Sequence, residues 1–264
     1  MILAPGTILQ RLYLKDRIAR LGRGTFIEVG PGEGHLSNLL LELGWSGVGI
    51  ERDMESASRL RQLAGAAGAG GRYTVLCDDW LRPREPDRIP RRADLILACM
   101  VLEHLDDADE RLYFRRCEHH LGPAGIGALL VPACEQAWGI EDVVAGHYRR
   151  YSKDRLRFLF SGMGWRLDHL AGLTYPLSNL LLPLSNWLVA RAESHKSVMS
   201  MRDRTLSSGR RKVPGKTLFP RIAGILSNEI SLYPAHLAQM IFRDSESALV
   251  LYAEGGPGIQ AGAN

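Results

Sequence analysis

The 264-residue chain lacks the features that mark several classes of protein. Its four cysteines include no C-x-x-C pair, and no group of residues has metal-ligand spacing, so we expect reduced thiols and no metal. The first 22 residues contain no uninterrupted apolar run after a basic start, which predicts no signal peptide and a cytoplasmic location. The net charge is only +4, and no aromatic residues lie within the basic stretch at 202–216, which argues against nucleic acid.

The segment from Leu170 to Ala190 also contains no charged residue, and it is long enough to cross a bilayer. Two prolines, Pro176 and Pro183, and several serines and asparagines interrupt its apolar character. We therefore interpret it as a buried or surface-lying helical segment rather than a membrane span.

The first two thirds of the sequence alternate apolar strands with amphipathic helices. For example, four leucines at helical spacing lie between His35 and Leu43, shortly after an apolar strand that ends at Val29. This alternation predicts an α/β fold with a doubly wound, mostly parallel sheet. The predicted strands are Phe26–Val29, Gly47–Ile50, Tyr73–Cys77, Ala93–Cys99, Gly125–Pro132, Trp165–Ala171 and, after a long interruption, Ser247–Ala253.

A glycine-rich loop, GPGEG, follows the first predicted strand. Its glycines, Gly30, Gly32 and Gly34, form G-x-G-x-G, whereas a dinucleotide-binding loop has G-x-G-x-x-G. Glu28, on the strand before the loop, would disfavour a pyrophosphate and suit a cofactor that carries ammonium and sulfonium groups. Glu51 ends the second strand about 20 residues after the first glycine, where an acid can accept hydrogen bonds from ribose hydroxyls.

Several consecutive motifs resemble those of class I, Rossmann-like S-adenosylmethionine-dependent methyltransferases. They are EVGPGEG, GIERD, LCDDWL, and the run from ADLILACMVLEHLDD to LGPAGIGALLVPA, and they span roughly residues 25–170. The resemblance implies a seven-stranded sheet with an antiparallel last strand, S-adenosyl-L-methionine as cofactor and S-adenosyl-L-homocysteine as product. The expected cofactor site comprises Glu28, Gly30, Gly32, Gly34, Glu51, Arg52, Asp78, Asp79, Trp80, Cys99 and Met100.

Within this site, Trp80 is available to stack on the adenine base. Either Asp78 or Asp79 would accept a hydrogen bond from the adenine amino group. The alternative is that both aspartates only form a turn. His104 is expected to be a wall or packing residue near the cofactor.

A narrower resemblance concerns the stretch GHYRRYSKDRLRFLF, which is similar to a G-H-x-R-R-Y signature in a subset of these enzymes. His147 lies beyond the carboxyl end of a predicted strand, so it is the first candidate for a general base, with a structural histidine as the alternative. Arg149 and Arg150 would clamp an acidic acceptor or pair with nearby acids. Tyr148 and Tyr151 are candidates for the acceptor pocket, Tyr151 also as a catalytic residue.

We therefore expect a methyltransferase that acts on an oxygen, less favourably a nitrogen or carbon, of a small, partly apolar acceptor such as a secondary metabolite. Residues 1–171 and 247–264 would form the cofactor-binding core, and residues 172–246 a helical cap over the acceptor. The cap residues expected to enclose the acceptor are Tyr175, Leu180, Leu181 and Trp187, and Ser207–Lys216 is expected to be mobile.

Four alternatives remain open at this point. In the first, the acceptor is a peptide whose C-terminal carboxylate is methylated. In the second and third, the chain is an NAD-dependent oxidoreductase or a non-catalytic module that binds a cofactor or a protein partner. In the fourth, the apolar segment makes a peripheral membrane contact, and the basic stretch meets anionic headgroups. The sequence indicates no oligomeric state.

Overall fold

The protein folds around one seven-stranded sheet. Its strands are β1 (Thr25–Val29), β2 (Ser46–Glu51), β3 (Tyr73–Cys77), β4 (Ala93–Cys99), β5 (Leu121–Pro132), β6 (Trp165–Leu173) and β7 (Val250–Pro257). The strand order is β3-β2-β1-β4-β5-β7-β6, and β7 runs antiparallel between β5 and β6. This confirms the predicted mostly parallel α/β sheet with an antiparallel last strand. The computed structural model describes residues 2–66, 71–193 and 226–258, together with residues 199, 204, 213, 214 and 224.

Helices connect the strands, and local side chains set where several of them begin. The helices are α1 (Pro5–Leu21), α2 (His35–Glu42), α3 (Met54–Ala66), α4 (Asp107–His120), α5 (Ile140–Ala145), α6 (Lys153–Gly162), α7 (Leu177–Glu193) and α8 (Tyr233–Ile241). The Asp106 carboxylate caps α4 by accepting hydrogen bonds from two backbone N–H groups of its first turn. The Ser152 hydroxyl caps α6 by accepting a hydrogen bond from the backbone N–H of Arg155.

The sheet separates two apolar clusters, one on each face. Side chains alternate between the faces along each strand, so Ile27 and Ile96 join one cluster whereas Phe26 and Leu95 join the other. Aromatic residues fill the first cluster around α4 and α6. The second cluster packs α1, α2 and α3 against the opposite face.

Two helices were not predicted from the sequence. The helix α1 buries Leu9, Gln10 and Leu12 in quick succession, so its apolar residues do not form the single stripe that identifies a surface helix. The helix α5 has only six residues, which is too short for a periodic pattern to be recognised. Both helices border the cavity described below.

The chain between β6 and β7 contains α7 and α8. The helix α7 packs against α1 and α5, and α8 packs against α1 and β6. The division into a core and a cap stays a prediction, and Ser207–Lys216 lies outside the described residues apart from Val213 and Pro214. Among the described residues, no helix is both long and apolar enough to cross a membrane.

Candidate active site

A cavity of about 640 Å³ lies at the carboxyl ends of β1, β4 and β5. This is the edge of an open α/β sheet where ligands bind, and the volume suits a small-molecule site. The glycine loop forms one wall, the start of α1 another, and α7 a third. Its polar wall residues include Gln10, Glu28, Glu103, His104, His147 and Arg150.

The glycine loop turns in a conformation that side chains disfavour. Gly30, Gly32 and Gly34 have φ values of +65°, +54° and +75°. A Cβ atom on Gly34 would collide with the side chain of Leu60, whereas one on Gly32 would enter open space. Gly30 and Gly32 line the cavity, so the loop offers bare backbone to a bound molecule.

Glu51, at the end of β2, braces this loop. One of its carboxylate oxygens accepts a hydrogen bond from the N–H of Gly32 at 3.1 Å, and the other from the N–H of Asp53 at 2.9 Å. Burial raises the pKa of Glu51, although these backbone hydrogen bonds oppose the shift. The residue therefore ties β2 to the loop at the position predicted for a ribose contact.

Glu28 is a fully buried carboxyl group in the cavity wall. Burial raises its pKa to about 7, partly opposed by a hydrogen bond from the Ser37 hydroxyl, and the nearby Glu51 adds to the increase. Cys99 and Met100, at the end of β4, lie on the same cavity surface. A buried carboxylate in this wall favours a positively charged ligand group.

The end of β3 differs from the prediction. Asp78 accepts hydrogen bonds from the backbone N–H groups of Arg84 and Glu85, and these hold its pKa below the ordinary value although burial opposes them. Asp79 accepts the N–H of Leu81 and lies 3.9 Å from a guanidinium nitrogen of Arg52. None of these three predicted cofactor residues lines the main cavity, although Asp78 borders a second cavity of about 210 Å³.

The stacking role predicted for Trp80 is wrong in this structure. Its indole is buried in the core between Tyr113 and His120, and the guanidinium of Arg116 lies over the ring. Trp80 therefore belongs to the hydrophobic core next to α4 and does not reach the cavity.

Three potential ligand side chains meet on the cavity wall: Glu103, His104 and His147. One donor atom from each lies within 4.8 Å of the others. Glu103 is 0% exposed, and neither of its carboxylate oxygens has a hydrogen-bond partner among the described residues. Burial raises the pKa of Glu103 to about 7, partly opposed by His147, and burial lowers that of His104 to about 3. Spacing along the sequence indicated no metal site, because His147 comes from a loop more than 40 residues away.

His147 is oriented by a carboxylate. Its Nδ1 lies 2.9 Å from Asp142 Oδ1, and its Nε2 lies 3.9 Å from Glu103 Oε1. The single Nε–H of Arg150 is shared between the two carboxylate oxygens of Asp142, at 2.9 and 3.0 Å. Burial alone would raise the pKa of Asp142, but the hydrogen bonds from His147 and Arg150 hold it below its usual range. The structure thus brings two predicted residues, His147 and Arg150, to the cavity wall, where both contact Asp142.

Three other residues of the G-H-x-R-R-Y stretch do not reach the cavity. Tyr151 is fully buried in the core and donates its hydroxyl hydrogen to Glu110 at 2.6 Å, so the catalytic role predicted for it is wrong. Arg149 forms ion pairs with Asp107 and Glu110. Tyr148 is about half exposed and does not line the cavity.

The helix α7 covers the cavity, but with a different face from the one predicted. Leu181 lines the cavity as expected, together with Ser178, Leu182, Leu184, Ser185 and Leu188. Trp187 is 56% exposed and Leu180 is more exposed still, so neither encloses a ligand. Tyr175 packs edge-on against Phe242, outside the cavity wall.

Comparison with known proteins agrees with this geometry. A family model described as a methyltransferase domain matches residues 8–170, more than half of the chain. The chain belongs to this methyltransferase domain family. Membership confirms the class predicted from the motifs, whereas the narrower G-H-x-R-R-Y subset is not distinguished by it.

Individual relatives of this methyltransferase domain are distant. The uncharacterised methyltransferase YrrT of Bacillus subtilis (strain 168) is 30% identical over 109 residues, which are 41% of this chain and 47% of YrrT. The match therefore spans about half the length of that relative.

Two solved structures share the fold. The mitomycin 7-O-methyltransferase MmcR has a TM-score of 0.50 at 21% identity, over 62% of this chain and 50% of its own. The glycopeptide N-methyltransferase MtfA, solved with S-adenosylmethionine, has a TM-score of 0.50 at 17% identity, over 61% of this chain and 79% of its own. At these identities the likeness is one of architecture.

Proposed function

We propose that this protein transfers a methyl group from S-adenosylmethionine to an oxygen of a small, partly apolar acceptor. The observation that carries the proposal is one cavity lined by two different groups of side chains. One group is the buried carboxyl of Glu28 beside an open glycine loop, and the other is His147 held by Asp142. An apolar face of α7 lies over the cavity. The natural-product methyltransferases that share the fold support a small acceptor.

The residues around the glycine loop fit the proposed methyl donor. S-adenosylmethionine supplies a methyl group on a positively charged sulfonium, and it also carries an ammonium group. Ionised Glu28 would hold these positive charges, and Gly32 would allow close approach to the backbone. Each oxygen of Glu51 accepts one backbone hydrogen bond and keeps a second lone pair for a ribose hydroxyl.

The side chains around His147 would activate the acceptor. A hydroxyl must lose a proton as its oxygen attacks the methyl carbon, so a proton-accepting or pKa-lowering group is needed there. His147 presents Nε2 towards Glu103 on the cavity wall because Asp142 occupies its Nδ1. The remaining acceleration would come from positioning and from exclusion of water beneath α7.

The arginine contacts favour a hydroxyl over a carboxylate acceptor. Arg150 is occupied by Asp142 and by the carbonyl oxygen of Ala133, and Arg149 is occupied by Asp107. A peptide C-terminal carboxylate would have to displace these pairs. The G-H-x-R-R-Y signature would then describe how the loop supports His147, with its first arginine and its tyrosine as structural residues.

A methyl-transfer assay with three matched acceptor classes tests this proposal. The protein would receive labelled S-adenosylmethionine and hydroxylated aromatics, the corresponding amines, or peptides with a free C-terminal carboxylate. We expect methyl ethers, and we expect His147→Ala to lower turnover about 10²–10⁴-fold with unchanged affinity for S-adenosylhomocysteine. His119→Ala, an exposed change on α4, serves as the control. Methylation of the amines or peptides alone would contradict the oxygen assignment, and cofactor binding without any transfer would indicate a non-catalytic module.

A membrane surface is a second candidate partner, because α7 has an exposed apolar face. Leu180 and Trp187 point away from the cavity, while other leucines of the same helix line it. Such a face can insert at a lipid headgroup boundary. Flotation with anionic and neutral vesicles tests this candidate, with Trp187→Ser as the variant expected to reduce binding. If the unmodified protein and the Trp187→Ser variant both remain unbound to the vesicles, a membrane surface is excluded as a partner.

A further inference from the structure

We infer that Glu103, His104 and His147 bind a divalent first-row transition-metal ion on the cavity wall. The metal assignment stands on these side chains alone. The use made of the ion in catalysis, described below, rests on the proposed function.

The first observation is the state of Glu103. Its side chain is completely buried and lines the cavity, and neither carboxylate oxygen has a hydrogen-bond partner among the described residues. A buried carboxylate without a partner is costly, and native structures pair such groups with cations or bind metals with them. The nearest cationic candidate is His147, whose Nε2 lies 3.9 Å away, beyond hydrogen-bond distance.

The second observation is that both histidines are oriented as metal ligands. The Nδ1 atom of His147 is 2.9 Å from Asp142 Oδ1, and the Nδ1 atom of His104 is 3.3 Å from the carbonyl oxygen of Gly146. Both partners accept hydrogen bonds, so each ring carries its proton on Nδ1 and leaves a lone pair on Nε2. Metal-binding histidines commonly donate their other ring N–H to a carboxylate or a backbone carbonyl in this way.

The third observation is the geometry of the donor atoms. One from each of the three side chains lies within 4.8 Å of the other two. Bonds of about 2.0–2.2 Å to a metal would place neighbouring donors about 3–3.5 Å apart, so side-chain adjustments of about 1 Å complete the site. Two imidazole nitrogens and one carboxylate favour zinc, iron, manganese or cobalt over magnesium and calcium.

Three protein ligands leave coordination positions open towards the cavity, where the acceptor would bind. An acceptor hydroxyl on the ion would lose its proton to solvent more easily, because a divalent cation lowers the pKa of a bound hydroxyl. Its oxygen would then form a bond to the methyl carbon as the carbon–sulfur bond breaks, with the electron pair remaining on sulfur. In this arrangement His147 acts as a ligand rather than as a base.

Metal titration of the chelator-treated full chain tests the site without acceptor or cofactor. We expect one Co²⁺ or Zn²⁺ ion per chain, with the visible absorption of Co²⁺ reporting nitrogen and oxygen ligands. Glu103→Gln should weaken binding at least 100-fold and His147→Ala similarly, whereas His119→Ala should bind as the unmodified protein does. The Glu103→Gln variant should also fold, because it replaces an unpaired buried carboxylate with a neutral group of the same shape.

Two results would overturn the metal site. One is the absence of stoichiometric binding at micromolar metal, and the other is equal affinity of the Glu103→Gln variant and the unmodified protein. Binding of S-adenosylhomocysteine, measured on the same metal-free samples, separates this outcome from failure of the proposed function. If the cofactor product binds and transfer proceeds with a chelator present, the methyltransferase proposal stands and the catalytic use of the ion fails.

Discussion

Replacing Glu28 by glutamine should remove a pH-dependent cost to folding. Glu28 is fully buried on β1, and burial raises its pKa from 4.5 to about 7, partly opposed by the hydrogen bond from Ser37. The other titratable groups around it are Glu51, Tyr73 and Cys99. Burial raises the pKa values of Tyr73 and Cys99 as well, so both stay neutral below pH 8. Glu51 is present in the unmodified protein and in the Glu28→Gln variant alike.

The sign follows from the proton that the folded protein retains. Between pH 4.5 and 7 the unfolded chain loses the proton of Glu28 while the folded protein keeps it, so the free energy of unfolding falls as the pH rises. Above pH 7 both states are ionised and the loss levels off. The difference between the two pKa values corresponds to a fall of about 3 kcal/mol in the free energy of unfolding. The Glu28→Gln variant lacks this fall because glutamine does not titrate.

Urea unfolding at several pH values between 4.5 and 8 measures this effect. The stability of Glu28→Gln relative to the unmodified protein should increase by about 3 kcal/mol across the range, most of it below pH 7. Glu55→Gln, at an exposed position on α3, should change by less than about 0.5 kcal/mol. Parallel stability curves for Glu28→Gln and the unmodified protein would refute the argument, since they would show that folding does not raise the pKa of Glu28.

Three further predictions concern the cavity and its surroundings. Glu51→Ala should weaken binding of S-adenosylhomocysteine by about 1.5–3 kcal/mol in calorimetry through loss of charge-assisted hydrogen bonds, and unchanged affinity would remove the ribose assignment. Tyr151→Phe should lower the free energy of unfolding by about 1–3 kcal/mol because buried Glu110 loses the hydrogen bond from the tyrosine hydroxyl. Turnover per folded molecule should stay constant, and a large loss of turnover would restore a catalytic role for Tyr151. Leu181→Ala should raise the acceptor KM whereas Trp187→Ala should not, because only Leu181 lines the cavity; the reverse order would contradict the observed face of α7.

The strands and the glycine loop could be predicted because their signals are local. The bounds of β3 and β4 match the predicted Tyr73–Cys77 and Ala93–Cys99 residue for residue, since each is a short, largely apolar run. The glycines of the loop have positive φ values, a conformation that glycine adopts without steric cost. Short buried elements such as α5 carried no such local signal.

The cap illustrates what periodicity cannot decide. The helix α7 is apolar on several sides, so its sequence predicts burial without specifying which face turns inward. Leu181 was placed correctly, whereas Leu180 and Trp187 face away from the cavity. The orientation depends on contacts of α7 with α1 and α5, two helices that the sequence did not reveal.

The cluster of Glu103, His104 and His147 could not be predicted from the sequence for a different reason. Glu103 and His147 meet because β4 and β5 end at the same edge of the sheet, and no spacing rule connects residues so far apart. The pair Leu102-Glu103 before His104 was noted only as part of a motif. Trp80 shows the converse, because an aromatic residue beside two aspartates suggested a ligand contact but serves the core.

The central claim is that the cavity holds S-adenosylmethionine and not a dinucleotide. Calorimetric titration of the full chain with S-adenosylhomocysteine and, separately, with NAD tests it most directly. The proposal predicts one site per chain for S-adenosylhomocysteine, weakened in both Glu28→Gln and Glu51→Ala, and no binding of NAD. Tight binding of NAD with no response to S-adenosylhomocysteine would contradict it.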